Sequence, residues 1–339
     1  MILTDLLACP VCRGSLATEG SALGCRPCAR LFPIIAGIPD LRVEPDPWIG
    51  LDDDRRKALR VLDEAEGLDF EGHVRTYWRL TPETSPEQAE RFTEHVLAAA
   101  ERTSEWLSMD QDDGGGFGPD GPWLDLGCGT ADLGAAAPAS VSVIGVDVAM
   151  RWLVIARRRL EDAGRQAHLV CANAEALPFP DRRFSRVLSL GLVEHCKSLD
   201  AVLSEAYRVA GDGGSLRFRT TNRYSLLPEP HVGVWGVGFF PRSWADRYVR
   251  SRGGTGYAHH HPWSAGEIRR GLRGAGFQEV RVGAAPTLTE EARRSSPAVR
   301  AAVPLYERAR KMPLSRDGLR QIAPVLEAEA RRPGGMRRI

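Results

Sequence analysis

Residues 123–134 read WLDLGCGTADLG, and this stretch decides the fold. Trp123, Leu124 and Leu126 make a short apolar strand that delivers Asp125, Gly127 and Gly129 to a turn just ahead of a helix, the place where α/β folds hold nucleotides. Glycine lets backbone approach a ligand closely, and the helix amino terminus offers unpaired N–H groups. A Gly-x-Gly alone also fits a tight turn without a ligand, and the residue that would complete a longer glycine run is Ala131. The next apolar run, VSVIGVD, ends at Asp147, 22 residues after Asp125, where a carboxylate can accept both hydroxyls of a ribose. A dinucleotide turn would need glycine where Asp132 stands, and that charge would repel a pyrophosphate.

Outward from the turn, short apolar runs alternate with helical stretches. Strands are expected at WLDLG (123–127), VSVIGVD (141–147), AHLVCA (167–172), FSRVLSLG (184–191), GSLRFRTT (214–221) and FQEVRVG (277–283). Helical stretches such as AMRWLVIARRRLEDAG (149–164), DAVLSEAYRVA (200–210) and SAGEIRRGLRGAG (264–276) lie between them. Such alternation predicts an α/β domain with a parallel sheet and helices on both faces.

Four ordered segments, LDLGCGT, GVDVAMRWL, CANAEALPFPDRRFSRVLSLGLVEH and GGSLRFRTTNRYSL, resemble the motifs of class I S-adenosylmethionine-dependent methyltransferases. The resemblance spans roughly residues 123–283 and implies a Rossmann-like, seven-stranded, mostly parallel sheet. By that resemblance Asp125, Gly127 and Gly129 would hold the methionine part of S-adenosylmethionine and Asp147 the ribose. Val148 and Trp152 would cover the faces of adenine, Asn173, Ala174 and Glu175 would line its edge, and Leu190 with Gly191 would approach the methionine end. Two positions depart from the family: Ala131 stands where many members have Gly, with its methyl tolerable as the helix begins, and Asn173 where many have Asp, with an amide that still accepts a hydrogen bond. IAPVLEAEARRP (322–333) resembles the family's closing antiparallel strand, although periodicity alone leaves helix open for Val325–Arg331.

Methyl transfer is a direct displacement, so alignment and water exclusion matter most, and a base is needed only if the acceptor must lose a proton. Candidates are His231, His195 and Tyr224. His195 belongs to a Glu-His pair that can equally be structural, and His231 can equally be a plain loop residue. The segment NRYSLLPEPHVGVWGVGFFPRSWADRY gathers aromatic and Arg side chains that either line an acceptor pocket or pack the segment against the sheet. In YAHHHPW (257–263), three consecutive histidines cannot all face one metal, so a loop or a single substrate contact is expected.

The chain opens with ACPVCRGSLATEGSALGCRPC (8–28). Its two Cys-x-x-Cys knuckles can present Cys9, Cys12, Cys25 and Cys28 tetrahedrally to zinc, and four thiolates leave no open position for catalysis. A segment of about 40 residues cannot fold by burial alone, whereas structural zinc contributes roughly 10–16 kcal/mol in small peptides. The segment resembles the small zinc-ribbon proteins that activate tRNA and release-factor methyltransferases; a ribbon also occurs in rRNA guanine methyltransferases. Cys128, Cys171 and Cys196 are expected to be buried and inert.

Lys+Arg 45 against Asp+Glu 44 leaves a net charge of +1, which argues against nucleic acid as the main partner. No signal peptide or membrane span is evident, so a cytoplasmic protein is expected. The expected domains are a zinc ribbon at 1–43, a linker and helical extension of about three helices covering the cofactor site at 44–120, with a glycine-rich loop at 111–122, and the methyltransferase domain at 121–339 with insertions at 222–262 and 290–321. The favoured function is methylation of a small molecule. Modification of RNA or protein, and a non-catalytic cofactor-binding scaffold, are the alternatives; the oligomeric state does not follow from the residues.

Overall fold

The computed structural model describes residues 6–109, 121–166, 168–254 and 256–334. Most of the glycine-rich loop read at 111–122 lies outside them. The chain divides into two compact units, Met1–Phe184 and Ser185–Ile339.

The first unit begins with a small antiparallel sheet of β1 (Ala17–Glu19), β2 (Ala22–Cys25), β3 (Arg30–Ile35) and β4 (Ile38–Pro39). Four helices follow where about three were expected: α1 (Leu51–Glu64), α2 (Phe70–Arg79), α3 (Pro86–Leu97) and α4 (Ala99–Ser108). The run 85–107, read as one continuous period, breaks at Ala98, which serves as C-cap of one helix and N-cap of the next. Its apolar period runs on through the break, so the pattern alone did not reveal it. Then come β5 (Trp123–Leu126), α5 (Asp132–Ala136), β6 (Val143–Asp147), α6 (Met150–Asp162) and β7 (His168–Cys171).

The second unit holds β8 (Phe184–Leu190), α7 (Leu199–Val209), β9 (Ala210–Thr221), α8 (Arg242–Ser251), α9 (Ala265–Ala275), β10 (Gln278–Ala284), α10 (Thr289–Arg294), α11 (Pro297–Lys311), α12 (Pro313–Ile322) and β11 (Val325–Arg331). The seven-stranded sheet has the order β10-β11-β9-β8-β5-β6-β7. β5, β6 and β7 pair in parallel, while β11 runs antiparallel to both β9 and β10. Residues 325–331 are therefore strand; Leu326, Ala328 and Ala330 alternate as its buried side chains, the period of two that a sheet imposes. No helix among the described residues is long and apolar enough to cross a membrane.

Helix α6 is the hub of the first unit. It buries Met150, Leu153, Val154, Ile155, Ala156 and Leu160, and its polar side chains fasten the preceding segments. Arg157 donates to the Ala36 carbonyl, Asp162 accepts from the Phe70 N–H at 2.7 Å, and Arg159 donates to the Val96 carbonyl at 2.5 Å. The cysteine-bearing sheet is fastened similarly. Ala8 N–H donates to the Pro178 carbonyl at 2.9 Å and Leu41 N–H to the Cys171 carbonyl at 2.7 Å, and Asp40 bridges Cys171 in parallel. The bonds of Asp40 and Leu41 lie on the open edge at β7, which would otherwise present unpaired backbone groups.

Candidate cofactor cradle and histidine cluster

The turn after β5 is built around Asp147. Its Oδ2 accepts from Gly129 N–H at 2.9 Å and its Oδ1 from Ala149 N–H at 2.8 Å, so the carboxylate is fixed in orientation while each oxygen retains a lone pair. Gly127 and Gly129 take φ of 77° and 48°, and a Cβ built on Gly129 would meet nothing within 4 Å. The turn thus leaves open space beside the fixed carboxylate. Ala131 falls as the helix begins, as expected, serving as the N-cap of α5, but in the left-handed region at φ 56°, ψ 40°, where a Cβ costs about 1–2 kcal/mol.

The cradle is acidic. Asp125 is buried, and burial, with Asp132 and Asp147 nearby, pushes its pKa well above the usual aspartate range. Burial also raises Asp147, opposed by the two backbone N–H groups. Thr103 on α4 donates to Asp132 at 2.5 Å.

The adenine-side residues named from the sequence are engaged with the N-terminal extension. Asn173 Oδ1 accepts from the N–H groups of Val43 and Glu44 at 2.9 and 3.1 Å, and its Nδ2 donates to the Glu44 carbonyl at 3.2 Å. The Val148 carbonyl accepts from Arg42 at 2.9 Å. Trp152 packs on Tyr77 and Trp78 of α2, with ring centroids 4.2 and 5.8 Å away. Ala174 is buried and Glu175 half-buried.

Between the N-terminal extension and α6 lies a buried ionic network that sequence reasoning missed. Arg42 grips Asp40 with two nitrogens, at 2.8 and 2.7 Å, and reaches Asp54 at 2.6 Å. The side chains of Arg42, Asp40 and Asp54 are fully buried. Arg151 bonds Asp54 at 2.7 Å and Asp46 at 2.8 Å, and Arg55 completes Asp40 at 2.8 Å. Asp54 also accepts from Met150 N–H at 2.9 Å and Arg151 N–H at 3.4 Å. It thereby caps α6, whose own N-cap Ala149 has no side-chain cap, as a carboxylate does best at a helix amino terminus.

In the small sheet, Cys9 Sγ lies 3.6 Å from Cys28 Sγ and Cys12 Sγ 3.3 Å from Cys25 Sγ. All four are unlinked thiols within reach of one another, a separation that suits Zn–S bonds of about 2.3 Å. The residue after each second cysteine is left-handed, Arg13 at φ 63° and Ala29 at φ 52°, which folds both knuckles alike. The four cysteines fit structural zinc. Cys128, Cys171 and Cys196 are buried.

In the second unit, Leu190 ends β8 and Gly191 follows at φ 74°. Glu194 is buried and structural: it accepts from Thr220 Oγ1 at 2.8 Å and from Thr221, and its carbonyl accepts from His261 N–H at 2.6 Å. His195 lies 4.8 Å from His231 and 5.1 Å from His260, ring to ring. His231 is held by Glu229 at 2.6 Å. Burial opposes charge on His231, but Glu229, aided by Glu194, shifts its pKa upward on balance. Tyr224 instead packs 5.7 Å from Phe239, beneath the Arg223 guanidinium. Trp235 and Trp244 are more than half exposed, so neither packs inside the unit as the plainer reading of that segment required. Of the three consecutive histidines only His260 joins the cluster. That grouping was illegible because its members are 36 and 29 residues apart in the chain.

Residues 124–214 match the family described as a methyltransferase domain. Over those residues the chain is similar to a methyltransferase domain. Ahead of them, residues 2–37 match the Trm112p-like protein family, in the segment that holds the four cysteines. A demethylmenaquinone methyltransferase of Thermus thermophilus is 39% identical over 118 residues, 34% of this chain and 50% of that protein. A malonyl-[acyl-carrier protein] O-methyltransferase of Marinomonas sp. is 32% identical over 131 residues, 38% of this chain and 47% of that one. The chain spans half or less of the length of the first curated relatives it matches. Among solved structures, a Haemonchus contortus phosphoethanolamine N-methyltransferase 2 in complex with S-adenosyl-L-methionine is similar at a TM-score of 0.42 and 18% identity, covering 64% of this chain and 50% of that one.

Proposed function

We propose that the chain is an S-adenosylmethionine-dependent methyltransferase acting on a small-molecule acceptor. The observation that carries this reading is Asp147, fixed by two backbone N–H groups beside the open Gly127–Gly129 turn. Its remaining lone pairs suit the two ribose hydroxyls. Asp125 and Asp132 stand beside Asp147 around the same turn. When bound, S-adenosylmethionine supplies an electrophilic methyl group on its sulfonium.

The chain's own residues orient and enclose. Asp147 sets the ribose, and the segment pinned by Asn173 and Arg42, with α2 behind Trp152, covers the adenosine side and excludes water. On this reading the chain comprises the ribbon at 1–43, the extension at 44–120 as the cover of the cofactor site, and the methyltransferase domain at 121–339. His231 and His195, with Tyr224, are the proposed groups for handling the acceptor.

A small acceptor is supported by the near-neutral charge of the chain and by the small-molecule substrates in the names of several relatives. A ribbon that presents RNA or protein is supported less well, because its exit at Asp40–Leu41 is committed to the edge of the chain's own sheet. The test is incubation of the full chain with methyl-labelled S-adenosylmethionine and separate metabolite, RNA and protein fractions. Label in the metabolite fraction is expected. Label confined to RNA or protein, or cofactor binding with no label anywhere, overturns the proposal.

A further inference from the structure

His195, His231 and His260 come from three separate segments of the second unit: the turn after β8, the loop after β9 and the loop before α9. One ring nitrogen of each lies within 4.8 Å of the other two. Nδ1 of His195 and Nδ1 of His260 are 3.3 Å apart, the edge of a tetrahedron around an ion with Zn–N bonds of about 2.0–2.1 Å. Two hydrogen-bonded imidazoles would explain that distance for one pair. They do not explain a third ring stacked 4.4 Å from His260 and perpendicular to His195.

The surroundings of His231 add an independent observation. Glu229 is buried, its Oε2 accepts from the N–H groups of His231 and Val232 at 2.8 and 3.1 Å, and its Oε1 meets His231 Nδ1 at 2.6 Å. The carboxylate therefore holds the Nδ1–H form of the ring and leaves the Nε2 lone pair for a ligand. Metal-bound histidines are oriented in this way, by a carboxylate on the distal nitrogen. Tyr257 is buried with its ring 5.2 Å from His260, and its hydroxyl has no hydrogen-bond partner among the described residues. A water on a nearby cation would give that phenol one.

We propose that His195, His231 and His260 bind a divalent transition-metal ion of the zinc class, with a fourth position open to an oxygen ligand. Three neutral ligands plus an open position is the arrangement of reactive rather than structural zinc, in contrast to the closed four-cysteine ribbon. The metal assignment does not depend on methyl transfer. Only the use of the open position for an acceptor oxygen rests on that reading, and there His231 is a ligand rather than a base.

The experiment is metal counting on the full chain without an affinity tag, dialysed against zinc and measured by mass spectrometry. Two zinc ions per chain are expected. His231→Ala and His260→Ala each reduce the count to one, with the ribbon zinc and the far-ultraviolet circular dichroism retained as internal controls. Glu229→Gln keeps all three imidazoles and weakens the second site by roughly 10–100-fold in competition with a chromophoric chelator, which reads the site even if an alanine variant misfolds. One zinc per wild-type chain at saturation, or a second zinc that persists in both alanine variants, overturns the proposal.

Discussion

Replacing Asp54 with alanine tests how the N-terminal extension is built into the cofactor cradle. Asp54 is fully buried, bonds Arg42 and Arg151 at 2.6 and 2.7 Å, and accepts the first N–H groups of α6. Three carboxylates, Asp40, Asp46 and Asp54, face three guanidiniums, Arg42, Arg55 and Arg151, in this network. Removing one carboxylate leaves an uncompensated positive charge, and breaking a buried pair this way costs about 3–5 kcal/mol. The lower end applies, because Arg42 keeps Asp40 and Arg151 keeps Asp46. Loss of a helix cap adds about 1 kcal/mol, so a total near 4 kcal/mol is expected, about three orders of magnitude in a local opening equilibrium. Amide hydrogen exchange at Met150 and Arg151, with the guanidinium chloride midpoint, measures it. Asp54→Asn keeps an acceptor but no charge and falls between. A loss below about 1 kcal/mol with unchanged exchange at Met150 would refute the reasoning, because the network would then not hold α6.

Three further outcomes follow from the same geometry. Ala131→Gly relieves the left-handed strain at φ 56° and stabilises the protein by roughly 0.5–1 kcal/mol in denaturant titration, since glycine returns part of the gain as unfolded-state entropy; destabilisation would count against it. Cys9→Ser removes one ribbon thiolate, and residues 6–43 then become sensitive to limited proteolysis in the presence of zinc; unchanged resistance would mean that the ribbon folds without its metal. Burial opposes the charge on Asp40, but Arg42 and Arg55 more than offset this, so its pKa is lowered on balance. The stabilisation is therefore fully present above the ordinary aspartate value of about 3.9 and is lost as pH falls through the lower folded value. Acid unfolding of Asp40→Asn should lack this component, and identical acid transitions would contradict it.

The strand-turn-helix at 123–134 and the acid ending β6 were legible because their chemistry is local. Apolar strands, glycines at positive φ and one carboxylate at the next strand end leave a pattern in a single sequence. Strand Val325–Arg331 was legible only through family resemblance, since seven residues settle as strand by pairing with β9 and β10 rather than by their own period. Ala131 was placed at the helix start, but its left-handed backbone was not legible, because such an entry has no mark except glycine, and glycine is absent there. The partners of Asn173, the Asp54 network and the three-histidine cluster join residues far apart in the chain. Nothing in composition or spacing ties Asp54 to Met150, 96 residues away. The place of the four-cysteine opening in the fold emerges from the same long-range bonds: it runs into the β7 edge and delivers Arg42 and Val43 to Val148 and Asn173.

Calorimetric titration of S-adenosylmethionine into the wild-type chain and Asp147→Ala tests the central claim most directly. The account predicts binding to the wild type and at least a tenfold weaker affinity in the variant, since two hydrogen bonds to a charged acceptor contribute about 1.5–3 kcal/mol each. Equal affinity in both proteins would contradict it.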